Sequence, residues 1–280
     1  MTELQSRRRL GEVLAQDGAS FDLAEVSLLV AREEYPDLDV PAYVARLDDL
    51  AARLQGRFEA KEGVAGVVSA LNTMLFEEEG FRGNVEEYYD PRNSFLNDVL
   101  DRHVGIPITL STVYMEVARR AGVGVDGVGL PGHFIVRVKG RPEDVLVDPF
   151  HGGAVLSVAD CQERLDRVHG GRVRLEESML RGCEGREIVA RMLRNLKAIY
   201  TRADDHVRTL RTIDLLLVVV VDEAGAAEIR DRGLVYEAMD CYALAASDLE
   251  TYVMRVPGSA EEPALRKKIQ GLRRKAARVN

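Results

Sequence analysis

The chain has 280 residues, 46% apolar and 30% charged, with a net charge of −8. This balance fits an ordinary soluble globular protein of one large or two modest domains and excludes a fibrous or disordered chain. The acidic balance argues against a general nucleic-acid-binding role. The longest apolar run, Leu215 to Val221, is far shorter than the roughly 20 residues a membrane span needs.

Three helices are expected first. Phe21 to Ala31 places apolar residues at i, i+3, i+4 and i+7, and Tyr35-Pro36-Asp37 stops the run. Pro41 suits a first helical position, and Tyr43, Val44, Leu47, Leu50 and Leu54 carry a second helix to about Gly56. A third covers Val64 to Glu79 and closes at Gly80. Turn signals fill Phe81 to Ser94, followed by a short helix over Phe95 to Arg102. Pro107 sits where a new helix can begin, and Thr109 to Ala121 has helical periodicity before Gly122. Three strands are expected at Val125–Leu130, His133–Val138 and Val145–Val147, the last two joined as a hairpin. Helices leading into antiparallel strands make an α+β domain. The domain spans residues 1–182, its helical opening residues 1–80. A boundary is expected in the glycine-rich stretch between His169 and Gly185, with helices from 183 to 280. There Gly233, Tyr236, Tyr242, Ala245 and Pro257 have the spacing of a tetratricopeptide unit. A weaker copy holds Leu196, Tyr200 and Leu210 but has Val220-Val221-Asp222 in place of the closing proline.

The chemistry-bearing residues converge on one constellation. A hydroxyl or thiol at a helix N-terminus gains from the helix dipole, which favours a developing anion. A histidine on a neighbouring strand can act as base, and a carboxylate on the next can orient it. His133 opens one expected strand and Asp148 ends the next, which is the layout of a papain- or transglutaminase-type site. The nucleophile should be cysteine, yet Cys161, Cys183 and Cys241 all lie downstream of Asp148. Thr109 and Ser111 are the hydroxyls near the helix start, with helix capping as their simpler role. Asn93, Ser94 and Asn97 precede or open the short helix, and His151 lies three residues from Asp148, where it could face the same cleft. His103, His169 and His206 have no partners at metal spacing, so neither a metal site nor a cofactor is assigned. The separated cysteines, odd in number, and the lack of an apolar leader fit reduced thiols in the cytoplasm.

Four motifs occur in order: Tyr89-Asp90-Pro91-Arg92-Asn93-Ser94-Phe95-Leu96-Asn97-Asp98-Val99-Leu100, Gly105-Ile106-Pro107-Ile108-Thr109-Leu110, Gly129-Leu130-Pro131-Gly132-His133-Phe134, and Val147-Asp148-Pro149-Phe150-His151-Gly152-Gly153. Together with Arg230-Asp231-Arg232-Gly233-Leu234 they closely resemble the bacterial SirB family, over about residues 20 to 275. That resemblance implies a transglutaminase-like core with a tetratricopeptide tail. His133 and Asp148 match the last two members of the superfamily's Cys-His-Asp triad, while the cysteine position falls near Pro107.

The expectation is therefore a noncatalytic transglutaminase-like module that binds a protein or peptide, coupled to a tetratricopeptide interaction domain, with no nucleic-acid or membrane partner. The rival reading is a hydrolase or acyl-transfer enzyme using Thr109 or Ser111 with His133 and Asp148. The basic residues between Arg266 and Arg278 are read as a solvated capping helix.

Overall fold

The structure, a computed structural model, describes residues 3–15, 21–58, 63–220 and 225–279. It divides into two compact units, residues 1–192 and 193–280, whereas the sequence pattern places the boundary after residue 182.

The first unit opens with helices α1 (Glu3–Ala15), α2 (Leu23–Ala31), α3 (Val40–Gln55) and α4 (Gly63–Asn72), the last running on as a π-helix over Thr73–Glu78. Asp22 and Asp39 start α2 and α3 by accepting backbone N–H bonds from Glu25 and Ala42, which satisfies donors that a helix start leaves free. Two short parallel strands, β1 (Arg82–Gly83) and β2 (Val104–Gly105), flank α5 (Leu96–Arg102). Helix α6 (Pro107–Arg120) follows, starting at Pro107, whose fixed φ and missing N–H suit a first helical position.

The sheet is antiparallel, in the order β6-β5-β4-β3-β7, with β3 at Val125–Val128, β4 at Ile135–Val138, β5 at Val145–Asp148, β6 at Ala154–Leu156 and β7 at Gly182–Cys183. The three expected strands are its centre. Alternation of side chains separates its two faces. Val128, Ile135 and Leu156 pack with Cys161 and Leu165 of α7 (Val158–His169). On the other face a Cβ at Gly127 would meet the ring of Phe134 and the sulfur of Met115 in α6. The sheet is thus layered between α6 and α7.

The division between units falls inside α8 (Gly185–Arg202). The second unit continues with α9 (His206–Val219), α10 (Ala226–Ala238), α11 (Tyr242–Arg255) and α12 (Glu262–Val279). The apolar run from Leu215 ends α9, while Val221 and Asp222 lie outside the described residues. Helices α10 and α11 cross closely at Gly233, where a Cβ would come 3.0 Å from Leu249 Cγ. Ala245 is fully buried in the core formed with Leu249, Val253, Leu265 and Ile269. Lys268 and Arg273 on α12 pair with Glu237 and Glu250. Among the described residues no helix is long and apolar enough to cross a membrane.

Candidate functional site

Three local structures bring the site together. The first is the turn before β4. Pro131 and Gly132 occupy its centre, Gly132 has φ +74°, and the His133 N–H donates to the Leu130 carbonyl at 3.1 Å. Proline followed by a positive-φ glycine is the pairing a type II turn requires. Arg191 locks this turn by donating to the carbonyls of Leu130 and His133, each at 2.7 Å.

The second is the 3₁₀ turn Pro149–His151 at the end of β5. In 3₁₀ geometry residues i and i+3 stand over one another, so His151 falls above Asp148. The turn is closed by Gly153 N–H donating to the Asp148 carbonyl at 2.9 Å, with Asn72 donating to Gly153 O at 2.8 Å. Gly153 has φ +77°, and a Cβ there would overlap the Asn72 amide.

The third is the start of α7. Ser157 and Asp160 form a reciprocal capping box that fixes the helix, and Arg164 follows one turn later. Arg164 Nε donates to Asp148 Oδ2 at 2.7 Å. The sequence pattern assigns no site residue on α7, although Ser157 and Asp160 at capping-box spacing are a usable signal for the helix.

Asp148 is the hub. Its Oδ2 accepts from His133 Nε2 at 2.9 Å, His151 Nδ1 at 2.8 Å and Arg164 Nε. An ionised carboxylate only accepts, so each imidazole carries its proton on the nitrogen facing Asp148. Burial alone would push the Asp148 carboxyl up; the bonds and charges of His133, Arg164 and His151 outweigh it and hold the group well below the usual carboxylate range. The other oxygen, Oδ1, is buried without a hydrogen-bond partner among the described residues. Such an atom costs about 1–3 kcal/mol. Asp148 is fully buried and the His133 side chain is 10% exposed, whereas that of His151 is 45% exposed.

Aromatic rings continue the site outward. Phe150 lies edge-on to His133 (centroids 6.2 Å), His151 (5.1 Å) and Tyr88 (6.2 Å), and Tyr88 meets Tyr89 at 5.4 Å. Tyr88 and Tyr89 are both exposed.

The remaining expected residues are placed differently. Pro107 is buried as the first residue of α6 and offers no nucleophilic group. Thr109 Oγ1 donates to Asn93 O at 2.7 Å and accepts from Ile106 N–H at 3.1 Å, so its hydroxyl closes the start of α6. Ser111 is fully buried, its hydroxyl 3.4 Å from the Phe134 carbonyl. Neither hydroxyl, and none of the three thiols, is hydrogen-bonded to His133 among the described residues. Asn93 is fully buried and holds the loop carrying Tyr88: it donates to Glu87 O at 2.7 Å and accepts from Asn84 at 3.1 Å. Ser94 Oγ and Asn97 Oδ1 are buried without partners among the described residues.

No metal site follows from linear spacing, but the fold brings together a set that spacing does not reveal. Ligating atoms of His133, Asp148 and His151 all lie within 4.8 Å of one another.

A helix, an antiparallel sheet, and a histidine just before β4 paired with the carboxylate that ends β5 are the layout of a transglutaminase-like protein. A transglutaminase-like superfamily model matches residues 41–194 and a tetratricopeptide repeat model matches residues 196–273. The chain belongs to the transglutaminase-like superfamily and carries a tetratricopeptide region behind it. It is 37% identical over 246 residues to a UPF0162 protein of Xylella fastidiosa, covering 87% of each chain. It is 32% identical over 252 residues to a UPF0162 protein of Pseudomonas aeruginosa, covering 88% of each. Human F-box only protein 21 shares 29% identity over 168 residues, which is 56% of this chain and 26% of that protein. No solved structure matches the chain.

Proposed function

We propose that this chain is a noncatalytic member of the superfamily, of the SirB type, acting in the cytoplasm. In this reading the surface around His133, Asp148 and His151 binds a protein or peptide, and the tetratricopeptide region provides a second interaction surface. Helical repeats of this kind commonly present protein-binding faces.

The observation that carries the reading is the engagement of Thr109. Acyl transfer needs a nucleophile within hydrogen-bond reach of its base. The one hydroxyl in the first turn of α6 is held between two backbone groups instead. His133, oriented by Asp148 with its proton on Nε2, keeps a lone pair on Nδ1 that can accept a hydrogen bond from a ligand N–H or O–H. Tyr88, Tyr89 and Phe150 offer rings against which a peptide side chain packs, as aromatic residues do at interfaces.

The test compares wild type with His133→Ala on two readouts. The first is hydrolysis of an activated ester and transfer from a glutamine peptide to an amine. The second is binding to an immobilised peptide library. The reading predicts altered peptide affinity and no His133-dependent turnover. Turnover that falls 10²–10⁴-fold in the variant, the range for loss of a general base, would overturn it.

A further inference from the structure

We propose that His133, Asp148 and His151 form a binding site for a divalent transition-metal ion of the zinc or cobalt class. Two imidazole nitrogens and a carboxylate are a recurrent three-ligand set for such ions, with the remaining positions open to water. Here the three ligating atoms lie within 4.8 Å of one another, with both His–Asp separations below 3 Å. At metal–ligand distances of about 2.0–2.2 Å, ligand atoms around one ion stand roughly 3–3.5 Å apart. The two His–Asp separations must lengthen slightly and the widest separation, within 4.8 Å, must shorten, adjustments that His151 on its exposed turn can supply.

The second observation is the uneven use of the Asp148 carboxylate. Three donors crowd onto Oδ2, while Oδ1 is fully buried with no partner among the described residues. An ion held between the two imidazoles would take Oδ2 as its carboxylate ligand and replace two of the three donors crowded onto that oxygen. The protons on His133 Nε2 and His151 Nδ1 would move to the opposite ring nitrogens, a tautomer change without net proton release. Arg164 would remain as the hydrogen-bond donor that orients a ligating carboxylate, a recurrent outer-shell arrangement.

Arg164 also sets the chemical class. Its charge offsets that of Asp148, so affinity would come from the nitrogen donors rather than from net negative charge. Imidazole suits zinc, cobalt and nickel, whereas magnesium and calcium take oxygen ligands. The metal site shares His133, Asp148 and His151 with the peptide-binding reading and excludes use of His133 Nδ1 as an acceptor while the ion is bound; its test uses metal alone, so the two readings fail separately.

The experiment titrates Co²⁺ into the full chain, followed by visible absorption and calorimetry, with His151→Ala and His133→Ala in parallel and Mg²⁺ as the control ion. The expected result is one Co²⁺ per chain, displaced by Zn²⁺, with affinity lowered at least ~100-fold in either variant and no comparable Mg²⁺ binding. That loss takes the upper end of the effect seen when even a supporting residue is removed. His151 is exposed, so its variant tests the site even if His133→Ala fails to fold. Wild-type Co²⁺ binding no tighter than that of His151→Ala, or equally tight Mg²⁺ binding, would overturn the proposal.

Discussion

Thr109 separates the two chemistries that the opening of α6 permits. A threonine two residues after a helix-starting proline can be a nucleophile or a cap, and its partners make it a cap: Asn93 O on one side and Ile106 N–H on the other. Both Asn93 and Ile106 are buried, so neither backbone group has water to fall back on. Thr109→Val keeps the shape and removes the hydroxyl; it should lower unfolding free energy by about 1–3 kcal/mol in urea titrations, the cost of leaving a buried polar group unpaired. Thr109→Ser should recover most of that loss. Equal stability of all three proteins would mean the hydroxyl is free for another role. The pairing of His133 with Asp148 was legible because each stands at the end of a strand in one expected hairpin. Arg164, the third donor to Asp148, was not: its contact depends on how α7 lies across the sheet, which periodicity does not fix.

At the scale of elements, periodic helices, the short helix α5 and the three central strands are legible in the sequence, whereas the two-residue strands are not. The helices at Leu23–Ala31, Val40–Gln55 and Pro107–Arg120 bury long apolar stripes. Strand β7 has only two residues, Gly182 and Cys183, too few for an alternating pattern, yet it pairs with β3 at the sheet edge. The π-helix Thr73–Glu78 reads as plain helix in sequence because its extra residue per turn leaves no compositional mark. The tetratricopeptide signature was legible because small residues must stand where helices cross. Ala245 is fully buried on α11, and Gly233 on α10 has Leu249 close against it. Ala245→Tyr should therefore overpack the α10–α11 pair and cost about 1–3 kcal/mol or more, read as a lowered Tm. An unchanged Tm would remove the packing basis for the repeat.

For the whole molecule, glycine-rich composition pointed to a boundary near residue 182, while the first compact unit runs to residue 192. Two contacts within that unit account for the difference. Strand β7 completes the sheet across from Gly127 and Val128, and Arg191 holds the turn that presents His133. A loop-like composition marks where the chain turns, but a two-residue strand and a single arginine beyond it carry the unit further. The result is a histidine–carboxylate site held from several elements, with none of the three thiols hydrogen-bonded to His133 among the described residues.

Intact-mass analysis after incubation with an activated acyl ester tests that claim most directly, because a nucleophile served by His133 would carry the acyl group. The account predicts no adduct whose formation depends on His133: wild type and His133→Ala should show the same slow, scattered labelling of surface amines. A single stoichiometric adduct on Thr109, Ser111 or Cys161, absent from His133→Ala, would contradict it.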